Sequence, residues 1–131
     1  MADQDLRKER QLNVRQIETE TLYDTFTPDL TTGEKALFDV PKGTRIVDAY
    51  VDVTPGTGTT LTVALILDDG SNKNLITGIN GLSAALTRLL TGNQQLAAAA
   101  AQIKLNVTVA TGVSVAATYR VMVKVKRESA V

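Results

Sequence analysis

The clearest pattern in this chain is an alternation of apolar and polar residues from residue 113 to residue 125. A β-strand points successive side chains to opposite sides, so a period of two predicts a strand with one buried face. The predicted inward set is Val113, Val115, Ala117, Tyr119, Val121, Val123 and Val125. The opposite set faces outward and contains the basic residues Arg120, Lys124 and Lys126.

Shorter segments with the same period lie upstream. Leu61, Val63, Leu65 and Leu67 alternate in one of them, and Val47, Ala49, Val51 and Val53 alternate in another. Residues 103–109 also alternate and are joined to residue 113 by a short linker that ends in Gly112. A short linker with glycine at a left-handed position is typical of hairpins, so we expect residues 103–125 to form one hairpin.

The strand over residues 45–53 has a polar face that contains Ile46, Asp48, Tyr50 and Asp52. Two carboxylates on either side of a tyrosine are candidates for acid–base chemistry or cation binding. Positions i and i+4 of a strand lie roughly 13 Å apart, which is wider than the separation of about 10 Å at most in glycosidase pairs. We therefore interpret this face as solvated or as a contact surface, with Tyr50 as its candidate contact residue.

Residues 73–101 are compatible with two structures. Leu82, Leu86, Leu89 and Leu90 have helical spacing, Ser83 is placed to cap a helix and Gly92 is placed to end it. These features predict a short helix at one end of a sheet, and the alternative is a pair of strands.

The first 21 residues are rich in charge and poor in apolar side chains, whereas turn and strand signals begin at residue 22. We therefore divide the chain into an N-terminal arm, residues 1–21, and a β-domain, residues 22–131. The arm is interpreted either as a disordered end or as a segment that becomes ordered on a neighbouring subunit. In the second case the candidate contact residues are Leu12, Val14 and Ile17, followed by Leu22 and Tyr23 at the start of the domain.

Composition removes several classes of function. The chain has no histidine and no cysteine, which excludes histidine-dependent triads, thiol nucleophiles and zinc–thiolate sites. The formal charge is zero, which argues against a protein that neutralises nucleic-acid phosphates. Asp68 and Asp69 resemble part of a calcium loop, but the closing glutamate is missing, so a turn is the better interpretation. We expect a soluble, unprocessed chain that is not an enzyme, needs no cofactor or metal and does not bind membranes.

Four segments carry a resemblance to a known class of proteins. They are FDVPKGTRIVDAYVDV at residues 38–53, TLTVALILDDG at residues 60–70, LITGINGLSAA at residues 75–85 and IKLNVTVATGVSVAATYRVMVKV at residues 103–125. Together they resemble the small β-sandwich structural proteins of tailed bacteriophages, which include capsid decoration (cement) proteins and head or tail accessory proteins. The resemblance extends over roughly residues 34–126 and transfers no catalytic signature.

With the strand pattern, this resemblance implies an all-β fold, an antiparallel β-sandwich or jelly roll with an extended N-terminal arm and one short helix. It also implies a virion protein that assembles in the host cytoplasm, binds the major capsid protein or other virion subunits and forms an oligomer, with a trimer favoured. The candidate contact residues outside the arm are Leu22, Tyr23, Tyr50, Arg120 and Lys124. The alternatives are a tail, neck or fibre component and a receptor- or ligand-binding module.

Overall fold

The computed structural model describes residues 4–5, 19–110, 113 and 115–127. Within these residues the regular structure is all-β apart from one short 3₁₀ turn, Thr91–Asn93. The strands are β1 Gln4–Asp5, β2 Thr19–Phe26, β3 Gly33–Val40, β4 Thr44–Thr54, β5 Leu61–Asp68, β6 Asn72–Asn80, β7 Leu86–Arg88, β8 Ala101–Val109 and β9 Thr118–Arg127. The predicted all-β class is therefore confirmed.

The strands form two sheets with a nested order of pairing. One sheet has the order β1-β3-β8-β5-β6 and the other has the order β2-β9-β4-β7. β2 pairs with β9, β3 with β8, β4 with β7 and β5 with β6, all antiparallel. Four nested pairs divided between two sheets make an eight-stranded jelly roll. β1 adds to the edge of this arrangement by pairing in parallel with β3.

The core lies between the two sheets and is built from the apolar faces that the alternation predicts. Along β9 the buried apolar residues are Tyr119, Val121, Val123 and Val125, and along β5 they include Leu61, Val63, Leu65 and Leu67. Most of these side chains are aliphatic, and burying one of this size contributes roughly 1.5–3 kcal/mol. The predicted inward faces of these two strands are confirmed.

The predicted hairpin over residues 103–125 is wrong. β8 pairs with β3 and β5, whereas β9 pairs with β2 and β4 in the other sheet. The connection after β8 therefore crosses between the sheets. Val115 in this connection is 53% exposed and forms an isolated bridge with Thr57, so the inward position predicted for Val115 is also wrong.

The helix predicted around Leu82 to Leu90 is also wrong, because this segment is extended and lies against β4. β7 pairs with β4 through Leu86–Arg88, and the backbone N–H of Leu89 donates to the Ala49 carbonyl at 2.8 Å. Just before β7 begins, the carbonyl of Ala85 accepts a hydrogen bond from the Val53 N–H at 2.9 Å. The segment thus satisfies backbone groups at an edge of β4 that a helix would leave unpaired.

One irregularity in β4 changes which side chains face the core. The pairing of β4 with β9 shifts register between Ile46 and Asp48, which is the signature of a β-bulge. As a result Ile46 is fully buried, although the alternation places it on the polar face, and Val47 is only partly buried. From Asp48 onward, β4 follows the predicted parity.

The predicted boundary between the N-terminal arm and the β-domain, after residue 21, falls inside β2. This strand begins at Thr19, before the predicted domain start at residue 22, and its register with β9 continues through Phe26. Among the described residues, no helix is long and apolar enough to span a membrane.

Candidate interaction surface

Four of the predicted contact residues lie on one surface, the outer face of the sheet β2-β9-β4-β7. Their side chains alternate with the buried residues of their strands and therefore point away from the core. These four residues are Tyr23, Tyr50, Arg120 and Lys124. Leu22 does not join them, because its side chain is buried in the core. Its predicted role as a contact residue therefore does not fit its position. Leu12, Val14 and Ile17 lie outside the described residues.

A row of four side chains crosses the middle of this surface, one from each strand. Tyr23 pairs with Met122, Met122 pairs with Tyr50, and Tyr50 pairs with Arg88. Tyr23 is 43% exposed. The guanidinium carbon of Arg88 lies 5.6 Å from the centre of the Tyr50 ring, a distance at which the cation is attracted to the ring face. We call the outer face around this row the tyrosine face.

The next row of the tyrosine face combines an ion pair with an exposed leucine. Arg120 donates to Asp52 Oδ2 from Nη2 at 2.6 Å and from Nε at 3.1 Å. The hydrogen bonds that Arg120 donates to Asp52 raise the pKa of Arg120 above its ordinary value. Leu86, the register partner of Asp52 on β7, is 50% exposed. An apolar group therefore lies beside a fixed ion pair.

The row on the other side of the tyrosines contains Lys124 and Asp48, which are register partners. Asp48 Oδ2 lies 3.3 Å from Nη1 of Arg88. Asp48 and Asp52 are thus each paired with an arginine, which favours the predicted contact surface over acid–base chemistry at these two carboxylates.

Sequence reasoning missed three residues of the tyrosine face. Met122 could have been found, because it has the same parity as Arg120 and Lys124. Leu86 and Arg88 could not be placed, because the sequence of their segment is compatible with a helix and with a pair of strands. The pairing of strands that are distant in the sequence brings these residues beside Tyr50, and this pairing does not follow from the alternation alone.

The outer face of the other sheet has a different character. Lys104 Nζ lies 3.0 Å from Glu34 Oε1 and 2.8 Å from Asp68 Oδ2, so one lysine joins β3, β8 and β5. Asn72 Nδ2 donates to the second oxygen of Glu34 at 2.7 Å. Polar groups on this face are therefore paired with one another across the strands.

The acidic pair after β5 is also occupied by contacts within the chain. Asp69 Oδ2 accepts from Lys73 Nζ at 2.7 Å and from the backbone N–H of Ala98 at 2.8 Å. These bonds, that of Lys73 first, lower the pKa of Asp69 to about 2. Among the described residues there is no cluster of three acidic side chains that could hold a metal ion. The partners of Asp68 and Asp69 favour a structural turn over a calcium loop.

Comparison with known proteins gives similarity at the level of fold. No protein-family profile and no curated protein sequence matches this chain. A chain in the capsid of Ralstonia phage GP4 superimposes with a TM-score of 0.61 at 15% identity, and the match covers 86% of both chains. A chain in the capsid of Helicobacter pylori bacteriophage KHP30 gives a TM-score of 0.58 at 18% identity and covers 81% of this chain and 86% of that one. A chain in the capsid asymmetric unit of cyanophage Pam1 gives 0.58 at 17% identity and covers 83% of each. This protein thus has the fold of chains found in phage capsids.

Proposed function

We propose that this protein is a structural, non-enzymatic component of a tailed-bacteriophage virion and that it decorates the capsid surface. The observation that carries the proposal is the fold shared with chains of three phage capsids over more than four fifths of this chain. Jelly rolls also occur in lectins, so the fold alone does not select a virion role. The four-segment resemblance in the sequence and the tyrosine face supply the additional support.

The tyrosine face is the proposed contact with the major capsid protein or another virion subunit. Tyrosine, methionine and arginine are enriched in protein interfaces, and this face presents Tyr23, Tyr50, Met122 and Arg88 in one row. The contact between Arg88 and the Tyr50 ring holds two of these side chains in place, so less side-chain entropy is lost when a partner binds. The ion-paired face of the other sheet is then the better candidate for the side that faces solvent.

Decoration further implies repeated copies and symmetric contacts. We propose that the subunits form a homo-oligomer, with a trimer favoured, and that they join the particle in the host cytoplasm. Within this arrangement the N-terminal arm extends the contact area beyond the sandwich, with Leu12, Val14 and Ile17 as its apolar groups.

Copy number on purified virions tests the decoration role. Quantitative mass spectrometry of particles should give this protein in a number of the same order as the major capsid protein, and cryo-electron microscopy should show it on the outer capsid surface. A few copies per particle, located at the neck or tail, would replace decoration by the tail or neck alternative. Absence from purified virions would contradict the virion role altogether.

A further inference from the structure

Apolar side chains collect on the tyrosine face. Among the described residues, three of the four exposed large apolar side chains lie there: Tyr23, Leu86 and Leu90, the last 70% exposed. Leu90 follows the partly buried Leu89, whose N–H donates to the Ala49 carbonyl, in extended backbone. Successive side chains of an extended chain alternate, so Leu90 points outward, as Leu86 does. The β7 side of the face is therefore apolar, which is typical of a binding surface.

The β9 side of the same face carries two exposed lysines, Lys124 and Lys126. Asp48, the register partner of Lys124 on β4, already has a contact at each carboxylate oxygen. Its Oδ1 accepts from the Ala49 N–H at 2.9 Å, and its Oδ2 lies 3.3 Å from Arg88 Nη1. In the part of the chain that the structure describes, neither lysine has an ion pair. Both positive charges are thus available to an acid on a partner.

The charges of the tyrosine face argue against a second copy of this chain bound through the same face. Asp52 accepts two hydrogen bonds from Arg120. Asp48 is paired with Arg88. Because these carboxylates are already neutralised, a second copy would bring further lysines without an acid to meet them. A nucleic-acid backbone would match the lysines but not the exposed leucines, whereas a protein surface can match both.

We propose that the tyrosine face binds a protein surface that is acidic opposite the two lysines and apolar opposite the two leucines. The lysines speed and orient the encounter through electrostatic attraction, and the leucines contribute affinity through buried apolar area. Because the two kinds of side chain lie on different sides of the face, they also fix the orientation of the partner. This assignment rests on the proposed capsid contact, so the acidic surface belongs to a capsid subunit.

The first experiment measures binding of the full-length protein to capsid particles assembled without it, at low and at high sodium chloride concentration. Wild type should bind more weakly at high salt, because ions screen exposed charges. Lys124→Gln and Lys126→Gln should each weaken binding about two- to fivefold at low salt, and the double variant should lose most of the salt dependence. Thr108→Asp lowers the net charge by the same amount as each single variant, on the outer face of the other sheet, and should bind like wild type.

The second experiment tests the apolar side of the face with Leu90→Ala. Binding should weaken about three- to tenfold and by the same factor at both salt concentrations, because buried apolar area is not screened by ions. An unchanged affinity of this variant would overturn the apolar match.

The remaining outcomes separate this assignment from the capsid contact itself. If the double lysine variant binds the particles as well as Thr108→Asp does, the acidic partner surface is overturned and the capsid contact stands. If duplex DNA displaces wild type from the particles at low salt and binds the double lysine variant less well, the face binds nucleic acid and the assignment is overturned. If wild type does not bind the particles at either salt concentration, the capsid contact is contradicted, and this assignment with it.

Discussion

Arg88 lies against the ring of Tyr50, its register partner, although the two residues are far apart in the sequence. This contact and the exposed Tyr23 ring make the tyrosine face a preformed surface. We predict that Tyr23→Ala and Tyr50→Ala each weaken binding to capsid particles about tenfold, because truncation of an aromatic anchor commonly costs about 1–2 kcal/mol of binding free energy. Occupancy of particles at increasing protein concentration measures the effect.

The matched control for this surface is Asn106→Ala, which changes an exposed residue on the outer face of the other sheet. Its binding and melting temperature should equal those of wild type. Equal occupancy for wild type, both tyrosine variants and the control would show that the capsid contact lies elsewhere on the molecule.

Deleting residues 1–17 tests the role of the arm. The deletion leaves β2 intact, since this strand begins at Thr19, and it also removes the two-residue strand β1 from the edge of β3. We expect the shortened protein to keep its β-sheet circular dichroism spectrum, because the core residues all lie in the remaining chain. Its occupancy on particles should fall. Occupancy equal to that of wild type would contradict a contact role for the arm.

Packing between Gly81 and Tyr119 gives a prediction about stability. A Cβ atom at residue 81 would lie 2.6 Å from Tyr119 Oη and 2.7 Å from the Leu61 side chain. Gly81→Ala should therefore lower the free energy of unfolding by about 1–3 kcal/mol. Tyr119→Phe should be neutral or stabilising by about 1 kcal/mol, because it removes a buried hydroxyl without a partner among the described residues.

The double variant separates this clash from other effects of alanine at residue 81. With phenylalanine at residue 119, Gly81→Ala should cost less than it does in wild type, while the contact with Leu61 keeps part of the cost. Urea unfolding of the four proteins supplies the comparison. Additive effects of the two changes would mean that the Tyr119 hydroxyl is not the group that alanine contacts.

Asp69 makes stability depend on pH in the acidic range. Its pKa in the folded protein is about 2, below the ordinary value of 3.8, so the folded state favours the ionised carboxylate. This contribution is complete above about pH 4 and is lost as the pH falls towards 2. Asp69→Asn should be less stable than wild type at pH 7, and the difference should shrink at pH 2.5. A constant difference in urea unfolding at pH 7, 4 and 2.5 would contradict this assignment.

Val121 tests the inward face of β9. The side chain is fully buried, and Asp24 is its register partner on β2. Val121→Asp should lower the free energy of unfolding by about 3–4 kcal/mol, because a carboxylate would enter the core. Thr21→Asp, on the exposed face of β2, should change it by less than about 0.5 kcal/mol. Val121→Ala provides a milder test if the aspartate variant does not fold, and a wild-type melting temperature for it would contradict the buried position.

The sequence pattern predicts side-chain parity well and strand pairing poorly. The valines of β9 and the leucines of β5 alternate cleanly, so their inward faces could be assigned without a structure. The hairpin predicted after Val109 is wrong because a short glycine-containing segment fits both a hairpin and a crossing between sheets. The shift between Ile46 and Asp48 was also missed. A bulge moves the inward parity by one residue, and in the sequence this shows as two adjacent apolar residues, Ile46 and Val47.

The sequence predicts which of these residues point outward, but it does not predict which of them are neighbours on the surface. Parity placed Tyr50, Arg120 and Lys124 outward, yet only the register of β2, β9, β4 and β7 brings them beside Tyr23 and Arg88. Leu22 and Tyr23 are adjacent in β2, so their side chains point to opposite sides of the sheet, and Leu22 is the one that faces the core.

The pairing of β2 with β9 has a practical consequence for attaching cargo to this protein. Thr19 and Lys126 are register partners, so the chain enters β2 and leaves β9 at the same end of the sandwich. A peptide fused directly after β9 would therefore start at the same end of the sheet as the first residue of β2. The loops after Phe26 and Thr54 lie at the opposite end, where an inserted epitope would be displayed away from both tails.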